Sequence, residues 1–118
     1  MAPILYKICP ISLWREAERA GVFLGARNDR EDGYIHFSTA DQAAETASRH
    51  FSGARDLVLV AIDAAALGPK LRWEKSRGGA LFPHLFAALP LTAVIWAKTL
   101  PLGAEGWHLL PDLPYEGE

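Results

Sequence analysis

The sequence predicts a single α+β domain with small mixed or antiparallel sheets. Its helical patterns, at residues 13–20 and 40–51, occur in the N-terminal half, whereas most strand-like segments occur in the second half. Residues 57–63 are apolar at successive positions, which is typical of a central strand that is buried on both faces. Because the helices and strands are segregated along the chain, a regularly alternating βαβ sheet is disfavoured.

Length and composition limit the classes of protein to which the chain can belong. At 118 residues it is expected to be one domain, with a core over residues 4–110 and a C-terminal tail over residues 111–118. The net charge of −2 provides no domain-wide attraction for nucleic acid or an anionic membrane. No apolar run approaches the roughly 20 residues that span a bilayer, and the N-terminus lacks a signal-peptide pattern. We therefore expect a cytoplasmic protein in which the single cysteine, Cys9, is a buried thiol.

The first 31 residues predict a strand, a helix and a polar loop. Residues 4–8 are rich in strand-forming side chains. A helix is predicted over residues 13–20, and Gly21 ends it because glycine adopts a positive φ without a steric penalty. The mixed charges of residues 25–31 indicate a solvated surface loop, for which a role at the rim of a site stays open.

A short alternating segment follows a glycine turn and contains the first candidate site residues. Residues 34–38 alternate between two faces, so that His36 and Ser38 share one face while Ile35 and Phe37 share the other. A lone histidine on a strand is commonly a hydrogen-bonded structural residue. Its place beside a serine, ahead of a helix, favours a histidine that faces a ligand.

The helix after this segment contributes a third candidate. Thr39 is predicted to cap the helix over residues 40–51, with Gln42 completing a capping box. A helix N-terminus offers unpaired N–H groups and a partial positive charge, which suit an anion or a phosphate. The segment therefore indicates a ligand site that includes His36, Ser38 and Thr39. No glycine elbow surrounds the serine, so a serine nucleophile is disfavoured.

The second half of the chain is predicted to be mostly strands, at residues 71–74 and 93–98, with a short edge piece at residues 107–110. It contains no nucleotide-binding glycine motif and no metal-ligand spacing, and the four histidines are far apart in sequence. We therefore predict no metal site.

A second candidate constellation follows the strand at residues 71–74. Trp73 offers a stacking surface and Glu74 an acceptor for hydroxyl groups. The side chain of Arg77, with the backbone amides of Gly78 and Gly79, could hold a phosphate or a carboxylate. The alternative is a core tryptophan beside a solvated, charged loop.

Several motifs in a fixed order suggest a family. They are Leu5-Tyr6-Lys7, Trp14-x-x-Ala17, the run from Asp32 to Gln42, Leu57-Val58-Leu59-x-x-Ile62-Asp63, Leu71-Arg72-Trp73-Glu74 and the run from Gly79 to Leu85. Together they resemble the small bacterial domain-of-unknown-function 952 family over nearly the whole chain.

The same order of elements is more distantly similar to the ADP-ribosyltransferase-like superfamily, whose members bind NAD in a cleft between two small β-sheets. This resemblance implies that fold, a cleft between sheets, and NAD as the candidate substrate. It implies that Lys7 or Tyr6 binds the ligand from the first strand, and that Ser38 and Thr39 support the nicotinamide pocket.

The chain departs from the superfamily at the catalytic glutamate, because no glutamate lies between Glu74 and Glu105. The expected position falls near His84. RNA 2′-phosphotransferases of the same superfamily work without that glutamate. If the chain is an enzyme, we expect Glu74 to hold a ribose hydroxyl and His84 to relay a proton. The alternative is that Glu74 pairs with neighbouring basic residues on the surface while His84 only packs.

Two functional classes therefore stay open. The first is a transferase of ADP-ribosyltransferase-like type that acts on a nucleotide-like or other phosphorylated small molecule. The second is a ligand-binding or protein-interaction module that has lost the chemistry. A membrane or nucleic-acid partner is not expected.

Overall fold

Small antiparallel sheets and short helices make up the computed structural model, which describes residues 3–116 apart from the side chain of Arg77. The helices in this part of the chain are α1 (Ile11–Ala20), α2 (Arg27–Asp32) and α3 (Ala43–His50). The strands are β1 (Ile4–Pro10), β2 (Val22–Phe23), β3 (Ile35–His36), β4 (Leu57–Asp63), β5 (Leu71–Lys75), β6 (Leu81–Leu85), β7 (Leu89–Pro90) and β8 (Val94–Leu100). The α+β prediction, with the helices in the N-terminal half, is confirmed.

The largest sheet has the order β1–β4–β8, and both pairings are antiparallel. The central strand, β4, is buried on both faces, as its continuous apolar run predicts. On the neighbouring strand β1, Leu5 belongs to one hydrophobic cluster, whereas Ile4, Tyr6 and Ile8 belong to the other. The sheet therefore separates two apolar layers.

The second sheet, β3–β6–β5, is connected to the first by residues 35–38. Ile35 and His36 pair with β6, and the N–H of Phe37 donates to a carbonyl of the same strand. One residue later the chain changes sheets, since Ser38 exchanges two backbone hydrogen bonds with Tyr6 of β1 (2.8 and 2.9 Å). This crossing brings the two sheets together at the side chain of His36.

The helix α1 starts earlier than its pattern predicts. It begins at Ile11 rather than at residue 13, directly after Pro10, whose fixed φ suits the entry to a helix. Its last residue is Ala20, and Gly21, which follows, ends the helix with a φ of 78°, as predicted.

The prediction of a loop over residues 25–31 is wrong, although most of the charged side chains there are exposed, as expected of a solvated segment. Most of this stretch forms α2, and Asp29 is buried with only 1% of its side chain exposed. Its carboxylate accepts the N–H of Ala26 at 2.7 Å and pairs with Lys7, which is distant in sequence. Local charge patterning does not show such a tertiary partner, and this explains the error.

The predicted start of α3 at residue 40 is also wrong. The hydroxyl of Thr39 donates to Asp41, and the side chain of Gln42 accepts the N–H of Thr39 at 3.0 Å. The bond between Thr39 and Gln42 is one half of the predicted capping box. It closes a turn that precedes the helix, and the regular helix begins only at Ala43. Within α3, Ala44 is exposed rather than directed at the core.

The strands predicted at residues 71–74 and 93–98 are present as β5 and β8, and β6 is a further strand between them in sequence. The edge strand predicted at residues 107–110 does not form, and within the described residues His108 makes only an isolated bridge to Leu102. No helix in the described part of the chain is long and apolar enough to cross a membrane.

Candidate functional site

A cavity of about 430 Å³ lies between β1 of the first sheet and the β3–β6 pair of the second. Tyr34, His36 and Ser38 line it, as the alternation of residues 34–38 predicts, while Ile35 and Phe37 belong to the hydrophobic core and Phe37 also borders the cavity. The crossing of this segment between the sheets therefore directs its polar side chains into the space between them.

A buried ion pair lies at the base of the cavity. The ammonium of Lys7 is 2.9 and 2.8 Å from the two carboxylate oxygens of Asp29, and it also donates to the carbonyl of His36 at 2.9 Å. The backbone N–H of His36 donates to the same carboxylate at 3.1 Å. Lys7, predicted to bind the ligand, lines the cavity with its ammonium held by these two partners.

Burial and hydrogen bonding act in opposite directions on the pKa of Asp29. Burial raises it, but the hydrogen bond from His36 and the charge and hydrogen bond of Lys7 outweigh burial and hold the pKa at about 2. Burial lowers the pKa of Lys7, and the charge of Asp29 opposes that shift. Asp29 is therefore a stable carboxylate around which its neighbours are oriented.

His36 is held between two carboxylates. Its Nδ1 lies 2.6 Å from an oxygen of Asp29, and its Nε2 lies 2.8 Å from an oxygen of Asp32. An ionised carboxylate can only accept a hydrogen bond, so both contacts are hydrogen bonds when the two ring nitrogens carry protons, as in the imidazolium form. The side chain of His36 remains 29% exposed.

The second histidine, His84, lies directly opposite His36 in the register of β3 and β6. Its Nδ1 is 2.8 Å from a carboxylate oxygen of Glu74 on β5. The two imidazole rings are 5.4 Å apart between centroids, and the ring of Tyr34 is 4.6 Å from His36 and 4.2 Å from His84. The structure thus brings together Glu74 and His84, the two residues predicted as an acid–base pair, and places His36 beside them.

The cavity borders the side of α3, not its N-terminus. Thr46, His50 and Phe51 contribute to the lining, and the hydroxyl of Ser38 is 2.7 Å from that of Thr46. Among the described residues, the first turn of the helix is not part of the wall, so the anion site predicted at the helix N-terminus does not face the cavity.

The remaining predicted site residues lie away from the lining. Thr39 bonds within its own turn, and Trp73 is 42% exposed on β5. Gly78 and Gly79 lie in an exposed turn. The side chain of Arg77 is outside the described part of the chain.

Sequence reasoning missed the two aspartates that hold His36. Asp29 and Asp32 are three residues apart, a spacing that places both on one side of a helix, and Asp32 is four residues before His36. That spacing was the available signal, and the neighbouring charges of the same stretch obscured it.

Comparisons with known proteins identify similar solved structures and a family. An X-ray structure of protein CC0527 from Caulobacter crescentus is similar, with a TM-score of 0.87 and 43% sequence identity, covering 90% of this chain and 93% of that one. A solution NMR structure of CC0527 has a TM-score of 0.79 and 44% identity, covering 88% and 90%. A comparison with curated proteins found no match. Residues 8–97 match the family described as "Protein of unknown function (DUF952)", so the predicted family is confirmed and the chain belongs to it.

Proposed function

We propose that the chain binds a phosphorylated, nucleotide-like small molecule in the inter-sheet cavity and that His36 and His84 act on it. One observation carries this proposal. Two histidines from facing strands line one cavity, and each is bonded to a carboxylate through a ring nitrogen. Carboxylate partners fix the orientation and tautomer of an imidazole, as acid–base catalysis requires.

The hydrogen bonds give the two histidines complementary roles. His84 donates from Nδ1 to Glu74 when it is neutral, which leaves Nε2 as the ring nitrogen that could accept a proton from a ligand hydroxyl. His36, in the protonated form that donates from both nitrogens, can stabilise an anionic group of the ligand. One histidine could then remove a proton from an attacking hydroxyl while the other holds the charged group of the substrate.

The size and composition of the cavity suit such a ligand. Its volume of about 430 Å³ lies within the roughly 300–1,000 Å³ that is usual for small-molecule sites. Tyr34 offers an aromatic surface beside both histidines, and Ser38 and Thr46 offer hydroxyl groups.

An ADP-ribosyltransferase-like architecture is the fold-level part of the proposal. Two small antiparallel sheets border the cavity, which favours an NAD-type ligand placed between them. Glu74, held against His84, is the carboxylate that we assign to a ribose hydroxyl in place of the missing superfamily glutamate.

The missing glutamate also favours a second candidate, a module that binds the ligand without turning it over. No glutamate lies between Glu74 and Glu105. The two candidates differ in one product, since turnover of NAD releases nicotinamide whereas binding alone does not.

The test is thermal unfolding with NAD, ADP-ribose, ATP and 5′-mononucleotides, followed by chromatography for free nicotinamide. A ligand at 100 times its dissociation constant stabilises the protein by about 2.7 kcal/mol, which raises the melting temperature by several degrees in a domain of this size. His36→Ala should weaken or abolish the shift, because His36 lines the cavity and is assigned to bind the ligand. His108→Ala is the matched control, because His108 bonds a backbone carbonyl at Ala54 and is not in the lining. A flat response to every ligand would refute a nucleotide site.

A further inference from the structure

We propose that the carboxylate of Asp32 occupies the position of the ligand's phosphate, and that a phosphate ester binds Nε2 of His36 by displacing it. This inference rests on the proposed function and specifies where the anionic group of the ligand lies. The carboxylate is 2.8 Å from Nε2, and both residues line the cavity. A phosphate oxygen accepts the same kind of charge-assisted hydrogen bond.

The two carboxylates on His36 differ in how firmly they are held. Asp29 is 1% exposed and also binds Lys7 and the N–H of Ala26. Asp32 is 51% exposed, and within the described residues its carboxylate bonds only His36. An exposed ion pair is a weak interaction, whereas a buried one is hard to break. Asp32 can therefore leave while Asp29 keeps the imidazole in place.

The charge balance of the cavity requires this exchange. Lys7 and Asp29 cancel one another, and so do His36 and Asp32. Glu74, which bonds to His84 of the lining, adds a further negative charge behind the wall. As the groups stand, an incoming anion meets no net positive charge. Movement of Asp32 into solvent leaves the imidazolium of His36 uncompensated on the cavity side, where a phosphate monoester of mononucleotide size can bind it.

The competing interpretation keeps Asp32 in place as a permanent partner that orients His36. The two interpretations predict opposite effects of removing its charge. If Asp32 competes with the phosphate, its removal tightens binding. If it orients His36 for the ligand, its removal weakens binding.

The experiment is calorimetric titration of inorganic phosphate and of AMP into the wild type, Asp32→Asn and Glu31→Gln at constant ionic strength. Glu31→Gln is the matched control, because it removes one negative charge from the same helix at a residue that is 63% exposed and pairs only loosely with Arg27. We expect Asp32→Asn to bind both probes about fivefold more tightly, the upper end for removal of a competing exposed ion pair, and Glu31→Gln to bind within about twofold of the wild type. The double variant Asp32→Asn/His36→Ala should lose the gain.

Each other outcome overturns the inference. Unchanged or weaker binding by Asp32→Asn, with the wild type still binding, assigns Asp32 to orientation and leaves the proposed function standing. An equal gain in Glu31→Gln would show that the tighter binding comes from the lower net charge of the protein and not from the position of Asp32. Absence of phosphate and AMP binding in all variants rejects the phosphate position, and the proposed function is then decided by the response to NAD and ADP-ribose. Should Asp32→Asn fold poorly by circular dichroism, Asp32→Ser tests the same expectations.

Discussion

Replacement of Asp29 by asparagine should strongly destabilise the protein. The carboxylate of Asp29 is a partner of the Lys7 ammonium, of the N–H of Ala26 and of both the backbone and the ring of His36. Asparagine is nearly isosteric but neutral, so Lys7 would remain buried, with 6% of its side chain exposed, beside no counter-charge. Removal of one partner of a buried pair costs about 3–5 kcal/mol. That is a large part of the roughly 5–15 kcal/mol that stabilises a typical domain.

The reciprocal change, Lys7→Met, should cost less. The carboxylate of Asp29 would keep the N–H of Ala26 and the two donors of His36, so it loses one partner among several. We expect a loss of about 1–3 kcal/mol, as for a buried group that loses one hydrogen bond. The double variant should be more stable than the sum of the single losses predicts, with a coupling energy of about 1–3 kcal/mol.

Urea unfolding at neutral pH, followed by circular dichroism, measures all four proteins of this cycle. Glu31→Gln is the control and should change the free energy of unfolding by less than about 0.5 kcal/mol, because its side chain is exposed. A loss below about 1 kcal/mol for Asp29→Asn, or strictly additive single effects, would refute the account of Asp29 as the centre of a coupled buried network.

Three further predictions concern pH, thiol chemistry and turnover. The pKa of Asp29 is about 2, below its ordinary 3.8, so its contribution of about 2 kcal/mol is complete above about pH 5 and is lost as the pH falls towards 2. Urea unfolding at neutral and acidic pH should therefore show a steeper acid loss in the wild type than in Asp29→Asn, and parallel curves would contradict this. Burial raises the pKa of Cys9 to about 12, so the folded protein should react with a thiol reagent only on unfolding, and rapid reaction of the native state would disprove it. On a substrate that the protein turns over, Glu74→Gln and His84→Ala should each bind ligand but react at least about 100-fold more slowly, and full activity in both would show that the chemistry lies elsewhere.

The part of the cavity wall formed by residues 34–38 could be predicted from the sequence, because these residues alternate between two faces. Strand geometry sends every second side chain to one face, and residues 34–38 place Tyr34, His36 and Ser38 in the cavity as expected. The approach of Glu74 to His84 follows from the same geometry, because they are diagonal neighbours on paired strands. Their contact required the register of β5 and β6, which local patterns do not determine.

Which partner of His36 is buried could not be predicted, since nothing local in a charged stretch marks the one charge that leaves solvent. Asp29 has charged neighbours at Arg30 and Glu31, and all three residues look equally solvated in the sequence. Asp29 is buried because Lys7, 22 residues earlier, supplies a counter-charge from β1. An ion pair that joins separate elements is a tertiary property, and helix or strand propensity contains no information about it.

The path of residues 35–38 explains why this network and the cavity belong together. His36 is positioned from one side by its pairing with β6, which also presents His84. From the other side it is positioned by Lys7 of β1, both through the backbone carbonyl of His36 and through Asp29. The pairing of β3 and β6 sets the two rings 5.4 Å apart, and contacts from outside this sheet, through Lys7 and Asp29, hold the ring of His36 in place. Loss of the Lys7–Asp29 pair should for this reason disturb the geometry of the cavity as well as the stability of the fold, even though neither residue is one of the two histidines.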